Sequence, residues 1–411
     1  MSEVNQEVGR IADTRAEFPS LSRSLGGVPL AYFDGPGGSQ VPRPVIEAVS
    51  RYYETSNANT HGAFITSLES DQVLEQARLA CAEFLNAAGP ESISFGANMT
   101  TLAFSLSRAF SRRFQPGDEV LITQLDHEAN RGPWLTLREH GMIVREVRMT
   151  EQGVLDYEDF DAKLNEHTRL VAVGWASNAL GTVNDLKYIR GRSREMGAWL
   201  LVDAVHYAPH FPIDFQAQGF DFLLCSAYKF YGPHVGILCS RANLLGQLDT
   251  DRLRTQEYLA PYRIETGTLN HAAIAGVGAA VDFIAALGEG PDRRTKVVSA
   301  MGRLQSHEHV LAEGFYRSLC EIPGAQPYGP DFSSPRRAPT VSFRVAGKTP
   351  YEVAAHLAGK GLLVWDGDFY AARAVELLGL AESGGLVRVG MSLYNDVQEV
   401  DRLVAAIREL V

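Results

Sequence analysis

Between residues 70 and 240 this chain alternates helical and strand-like segments, and no other feature narrows its possible folds as far. Apolar residues recur at helical spacing over 71–85, 100–110, 131–140, 157–164 and 185–196, which predicts amphipathic helices. The intervening runs 119–123, 143–147, 170–175, 199–202, 222–224 and 235–238 are short, continuous and rich in β-branched residues. A strand without polar alternate positions has no face to show to water. Each run is therefore expected to be covered by helices on both sides, which predicts an α/β fold built on a mostly parallel sheet.

Beyond residue 240 the pattern changes. The stretch 272–287 is rich in Ala, Gly, Val and Ile but is interrupted by Asp282. It is too short to span a bilayer comfortably, and reads as a buried helix packed through its small residues. Its Gly276-Val277-Gly278 has neither a third glycine nor a preceding strand, so it is no dinucleotide fingerprint. A long helix over 297–322 follows, then strands at 339–343, 362–365 and 386–391 with helices at 350–360 and 397–411. These predict a large domain over 31–285 and a small α+β domain over 286–411, with residues 1–30 packing against the small one.

The chain has 38 Lys and Arg against 49 Asp and Glu, a net charge of −11. That balance opposes nucleic-acid or anionic-membrane partners, although a local basic cleft for phosphate is compatible with it. Cys81, Cys225, Cys239 and Cys320 are widely spaced with no Cys-x-x-Cys. Neither a disulfide framework nor a zinc site is expected, and no other metal; the thiols read as small buried hydrophobes. With a polar, acidic N-terminus unlike a signal peptide, a cytoplasmic location is expected.

Two residues stand out chemically. Lys229 closes the run Phe222-Leu223-Leu224-Cys225-Ser226-Ala227-Tyr228, and the other five lysines lie among charged residues or turn glycines. Its ammonium either snorkels past its aromatic neighbours or is buried, which lowers its pKa and makes it an amine nucleophile. Asp203 ends the run Trp199-Leu200-Leu201-Val202, and ligands of open α/β sheets bind at the carboxyl ends of strands. A lysine for an aldehyde and a carboxylate for a pyridinium nitrogen are what pyridoxal 5′-phosphate (PLP) requires. His206 and His210 have helical metal spacing, but Pro209 opposes a regular helix there.

Further segments occur in a familiar order. They are Tyr32-Phe33-Asp34-Gly35-Pro36-Gly37-Gly38, Asn57-Ala58-Asn59-Thr60-His61, Phe95-Gly96-Ala97-Asn98-Met99-Thr100-Thr101 and Asp126-His127-Glu128-Ala129-Asn130. Ser177-Asn178-Ala179-Leu180-Gly181-Thr182, Asp203-Ala204-Val205-His206, Ser226-Ala227-Tyr228-Lys229 and Glu265-Thr266-Gly267-Thr268 come next, then Val387-Arg388-Val389-Gly390-Met391. Together they resemble the aminotransferase class V branch of fold-type I PLP enzymes, most closely the group II cysteine desulfurase and selenocysteine lyase family. The resemblance implies a seven-stranded, mostly parallel sheet in the large domain. It also implies a homodimer with active sites at the subunit interface.

The resemblance implies roles residue by residue. Met99 and Thr100 would bind the phosphate at a helix N-terminus, with Ser226 and Tyr228 donating to it; Tyr228 stands where the family often has histidine. His127 would stack on the pyridine ring and move protons, Asp203 would pair with the ring nitrogen, and Asn178 and His206 would approach the ring hydroxyl. Thr268 would reach the phosphate bound by the opposite subunit. His61, Asn178, Asp366, Tyr370 and Arg388 would face the substrate, with Arg388 holding its α-carboxylate.

One departure bears on the chemistry. In the desulfurases a loop cysteine takes sulfur from the substrate as a persulfide, and the residue aligned with it here is Tyr370, in Val364-Trp365-Asp366-Gly367-Asp368-Phe369-Tyr370. The expected activity is therefore on an L-amino acid through an external aldimine and α-carbanion, as a C–S β-lyase without persulfide chemistry. An aminotransferase, in which Arg131 or Arg263 would hold the acceptor's distal group, and an amino-acid epimerase are the alternatives. A catalytically dead scaffold is disfavoured because Lys229, Asp203, His127 and Arg388 are all present.

Overall fold

A computed structural model describes residues 14–333 and 336–411. Its central sheet has seven strands: β1 (Ile93–Gly96), β2 (Glu119–Thr123), β3 (Ile143–Val147), β4 (Thr168–Gly174), β5 (Trp199–Asp203), β6 (Phe222–Ser226) and β7 (Gly236–Ser240). Their order is β1-β7-β6-β5-β4-β2-β3. All neighbouring pairs are parallel except those of β7, which runs antiparallel to both β1 and β6. Only residues 227–235 separate β6 from β7, too few for the crossover that a parallel neighbour needs.

Burial on both faces explains the runs without alternation. In β5, Leu200 and Val202 enter one core while Leu201 enters the other. The first core is built with α1 (Ile65–Leu85) and α2 (His271–Ala286), the second with α3 (Met99–Arg113). The apolar helix His271–Ala286 is buried as expected: a Cβ on Gly276 would stand 2.9 Å from Val49 Cγ2, so the small residue permits close approach of helix Arg43–Thr55. Among the described residues no helix is long and apolar enough to cross a membrane.

Several sequence-based expectations are corrected. The segment 131–140 is not one helix but a short helix, Gly132–Leu135, between 3₁₀ turns, since Pro133 supplies no amide to an earlier turn. Strand 362–365 is split: Leu362–Leu363 pairs with Ala31–Tyr32, whereas Trp365–Gly367 joins a second sheet. That sheet, Ala325–Tyr328, Thr340–Val345, Leu386–Gly390 and Trp365–Gly367 in spatial order, is antiparallel throughout. The 28-residue helix Arg293–Cys320 links the two sheets. Its Val297 and Leu304 sit in the main core, and its Phe315 and Leu319 pack under the second sheet. Of the N-terminal segment 1–30, residues 1–13 lie outside the described residues; beyond them Phe18 meets Tyr231, Phe283 and Tyr394 edge-on.

Candidate active site

The carboxyl ends of β5 and β6 open into one cleft, which holds about 600 Å³ of empty space counting its mouth. Strand β6 ends at Ser226 and runs straight into a 3₁₀ turn, Ala227–Lys229. This turn brings the Lys229 ammonium against the opening segment, where it donates to the carbonyls of Pro36 and Gly37, the latter at 3.0 Å. Burial lowers its pKa to about 7, helped by the nearby Arg388 cation and opposed by Asp203 and Asp34. The amine thus turns into the cleft rather than snorkelling past its aromatic neighbours to the outer surface.

Asp203 is the last residue of β5, directly beside β6. Its Oδ1 accepts the Val205 amide at 2.9 Å. Burial raises its pKa to about 6, against the Val205 hydrogen bond and the Lys229 charge. A cation or N–H brought alongside would hold it ionised.

At the other end of the cleft, Asn98 caps α3 by accepting the Thr101 amide at 2.9 Å. Met99 and Thr100 then begin the helix and line the cleft, and the Met99 amide lies 3.2 Å from Ser226 Oγ. A helix N-terminus with an adjacent hydroxyl is suited to a phosphate. Behind it, a Cβ on Gly236 would stand 2.3 Å from the Asn98 carbonyl carbon, so only glycine lets β7 pass there.

His127 Nδ1 accepts the Ala129 amide at 2.9 Å, which leaves the proton of the neutral ring on Nε2. Its pKa falls to about 4, through burial first and then the charges of Lys229 and Arg388. The ring is thus a neutral, flat wall of the cleft. Beside it Asp126 accepts the Gly174 amide at 3.0 Å and the Asn130 side chain at 2.9 Å, with a pKa raised to about 7 by burial. His206 lines the same floor; its Nε2 meets Thr340 Oγ1 at 2.9 Å. Burial holds its pKa well below 6.5. Its sequence neighbour His210 pairs with Glu308 at 2.7 Å.

The second sheet builds another wall of the cleft. Arg388, 4% exposed, donates from Nη1 to the Asn178 carbonyl at 3.2 Å. Burial brings its pKa down to about 9 against the pull of Asp34 and Tyr228. Asn178 Nδ2 donates to the Phe369 carbonyl at 2.8 Å. Asp366 and Tyr370 line the mouth, and the Tyr370 ring lies 5.6 Å from that of His127. Tyr228 also lines the cleft, its ring 4.9 Å from the Lys229 ammonium and stacked 4.6 Å from His234.

His61 and Thr268 are not brought to Lys229 within one chain. They share a separate surface pocket with Asp71, Arg78 and Glu265, and the His61 ring sits 3.3 Å from Asp71 Oδ1. Within its own chain His61 does not line the Lys229 cleft. Sequence reasoning gave no role to Asp34, Asn98, Asp126, His234 or Phe369. The first three and Phe369 lie inside segments already quoted, whereas His234 lies outside them, and neither Phe369 nor His234 carries a local sign of its placement.

The cysteines divide. Cys81, Cys225 and Cys239 are buried, with burial pushing the Cys81 thiol up to about 12 and the other two well above 9.0. Cys320 is exposed, contrary to its reading as a buried hydrophobe, because it ends the helix Arg293–Cys320 on the outer face. None of the four lines the cleft.

The cleft fits PLP on its own geometry. Donors for a phosphate at Met99, Thr100 and Ser226, the Asp203 carboxylate and the Lys229 amine all face this one space. Asn178 Oδ1 and His206 Nδ1, both buried at its edge, have no partner among the described residues. Fold and site together define a fold-type I PLP-dependent enzyme. The aminotransferase class-V family model matches residues 31–403, and the chain belongs to that family. A cysteine desulfurase of Yersinia pseudotuberculosis serotype O:1b is 32% identical over 97% of this chain and 98% of its own length. Among solved structures, the Escherichia coli cysteine desulfurase CsdA, in an S-sulfonic acid form, has a TM-score of 0.85 at 26% identity, covering 98% of this chain and 99% of that one. The apo cysteine desulfurase of Thermococcus onnurineus has a TM-score of 0.86 at 27% identity, covering 97% of each. The protein is thus a PLP-dependent, cysteine desulfurase-like enzyme.

Proposed function

We propose that this enzyme is a C–S β-lyase acting on a cysteine-derived or other β-substituted L-amino acid, without persulfide chemistry. The observation that carries this reading is the cleft lining, which contains no cysteine and has Tyr370 at the position aligned with the sulfur carrier. The net reaction takes an S-substituted cysteine and water to a thiol, pyruvate and ammonia.

When bound, the cofactor supplies an aldehyde for the substrate amine and a sink for electrons released at the α-carbon. Met99, Thr100, Ser226 and Tyr228 would hold its phosphate, Asp203 its ring nitrogen, and Asn178 and His206 its ring hydroxyl. His127 would cover the ring face. Arg388 would bind and orient the substrate carboxylate through its planar fork. Lys229 Nζ, poised near pH 7 by burial, would take the proton from the α-carbon.

Two further observations support the reading. Arg131 is committed to Glu146 at 2.9 Å and Glu128 at 3.1 Å, and Arg263 to the carbonyls of Leu248 at 2.6 Å and Gly246 at 2.9 Å. Neither lines the cleft to hold a transamination acceptor. The enzyme would act as a homodimer in which His61 and Thr268 serve the neighbouring subunit's cleft. The flanking segments expose Phe64, Ile65, Leu68, Leu253, Tyr258 and Leu259, apolar side chains that a second subunit could cover. The large domain would span 31–285 and the small one 286–411, and four free thiols suit a reducing cytoplasm.

Product analysis tests the activity. PLP-loaded protein is mixed with cysteine, cystine, S-substituted cysteines and other L-amino acids, with no keto-acid acceptor. Many turnovers of pyruvate with released thiol are expected. One equivalent of keto acid with pyridoxamine phosphate left on the protein would identify a transaminase instead, and alanine with protein-bound persulfide would identify a desulfurase.

A further inference from the structure

Arg388 and Asn178 share a neighbour that no motif singled out. Phe369 is 8% exposed, and its ring lies against the Arg388 guanidinium, with Cζ 4.4 Å from the ring centroid. Its carbonyl accepts the Asn178 side-chain amide at 2.8 Å, and Arg388 donates to the Asn178 carbonyl at 3.2 Å. The three residues therefore form a closed set of contacts, although they come from distant parts of the chain.

The backbone at this point is unusual. Phe369 has φ +56° and Tyr370 φ +57°, in the left-handed region that bulky side chains avoid. Such a conformation persists where its surroundings over-determine it. Here the Tyr370 carbonyl accepts the Glu128 amide at 2.7 Å and the Tyr370 amide donates to Asp368 Oδ1 at 2.8 Å. With the Asn178 bond, both carbonyls of the strained pair are anchored to the large sheet's loops.

The choice of an aromatic partner has a chemical meaning. Arg388 is a buried cation with no ion pair within 4.0 Å among the described residues, and its Nε and Nη2 donate to no group there. A carboxylate beside it would neutralise the charge and occupy the donors a substrate needs. A ring face attracts the guanidinium through its quadrupole and leaves the edge donors free.

We propose that Phe369 is a positioning residue: its ring holds Arg388 in carboxylate-binding geometry without competing for the guanidinium donors, and its carbonyl fixes the Asn178 side chain beside it. This rests on the reading of Arg388 as the substrate-carboxylate clamp. The test compares L-alanine with ethylamine, which has an amine but no carboxylate, as ligands of the PLP-loaded protein, followed by the absorbance of the bound cofactor. In Phe369→Ala the preference for alanine should fall about tenfold, the scale of a desolvated cation–π contact, with ethylamine affinity unchanged. Phe369→Leu keeps apolar cover without a π face and should lose about threefold; it serves as the test if the alanine variant does not fold. Phe369→Tyr should retain the wild-type preference. An unchanged preference in both Phe369→Ala and Phe369→Leu, or an equal loss for the two ligands, would overturn the proposal. A wild type that binds ethylamine as well as alanine would instead refute the role of Arg388, and the proposal with it.

Discussion

Removing the Lys229 ammonium from the cofactor-free protein should stabilise its fold, and the gain should fade as the pH rises. Burial is the main cause of the drop in the lysine's pKa from 10.5 to about 7. At about 1.4 kcal/mol per tenfold, this drop is worth about 5 kcal/mol against the folded state. Between the folded and unfolded values the unfolded chain binds more protons, so wild-type stability rises with pH across that window. The penalty is complete below pH 7 and is gone above 10.5. Lys229 is partly exposed at the cleft, and water there screens some of the cost, leaving about 4 kcal/mol at pH 7. Losing the bonds to the carbonyls of Pro36 and Gly37 offsets about 1 kcal/mol each. Lys229→Met should therefore gain about 2 kcal/mol at pH 7 and lose about 1 kcal/mol at pH 10, where most of the penalty has already vanished. Denaturant unfolding of both apo proteins at the two pH values, followed by tryptophan fluorescence, measures the difference. Groups that titrate identically in both proteins cancel. A stability difference that does not change with pH, or a variant less stable at pH 7, would refute the argument that the buried ammonium is penalised.

Borohydride treatment of the PLP-loaded protein should fix the cofactor on the peptide bearing Lys229, seen by mass spectrometry, and Lys229→Ala should abolish the adduct; an adduct elsewhere would refute the lysine assignment. Arg388→Ala should weaken amino-acid binding by about 2 to 5 kcal/mol, as for loss of a buried charged partner, and an unchanged Kd would remove Arg388 from the site. Gly236→Ala should drive a Cβ into the backbone of Asn98, displacing the start of α3 and weakening cofactor retention at least about tenfold; equilibrium dialysis would show it, and wild-type retention would disprove the packing argument. Glu265 accepts both Arg78 Nη1 and Nη2 at 2.6 Å and the Phe95 amide at 2.6 Å. Glu265→Ala should cost about 3 to 5 kcal/mol by stranding a buried cation, measured by denaturant unfolding, with a smaller loss showing that Arg78 finds water.

The strands of the central sheet were legible because burial on both faces writes continuous apolar runs. Strand β1 was not read as a strand: its four residues, Ile93 to Gly96, merge with the loop that follows. Helix Arg43–Thr55 was missed as well, since Pro42 and Pro44 at its start resemble loop punctuation. The direction of β7 depends on connection length rather than on residue type. At the site, Lys229 and Asp203 were legible because a charge at the end of an apolar run needs a reason. Phe369 was not, because neither a positive φ nor contact with a residue elsewhere in the chain leaves a mark on the local sequence. His61 could be placed in a motif, yet only the folded chain shows that it lies away from its own lysine.

The position of β7 also dictates when, during synthesis, the protein can first hold its cofactor. Gly236 pairs with Gly96 on one side and with Ser226 on the other, so the strand that joins the helix cap at Asn98 to the lysine turn is the last of the seven to leave the ribosome. Until residues 236–240 have emerged, β1 has no neighbour in the sheet, and the cap at Asn98 lacks the strand that passes directly behind it. Arg388 emerges later still. Nascent chains shorter than about 240 residues should therefore neither bind PLP nor resist proteolysis, and the Arg388 side of the cleft is assembled only near the end of translation.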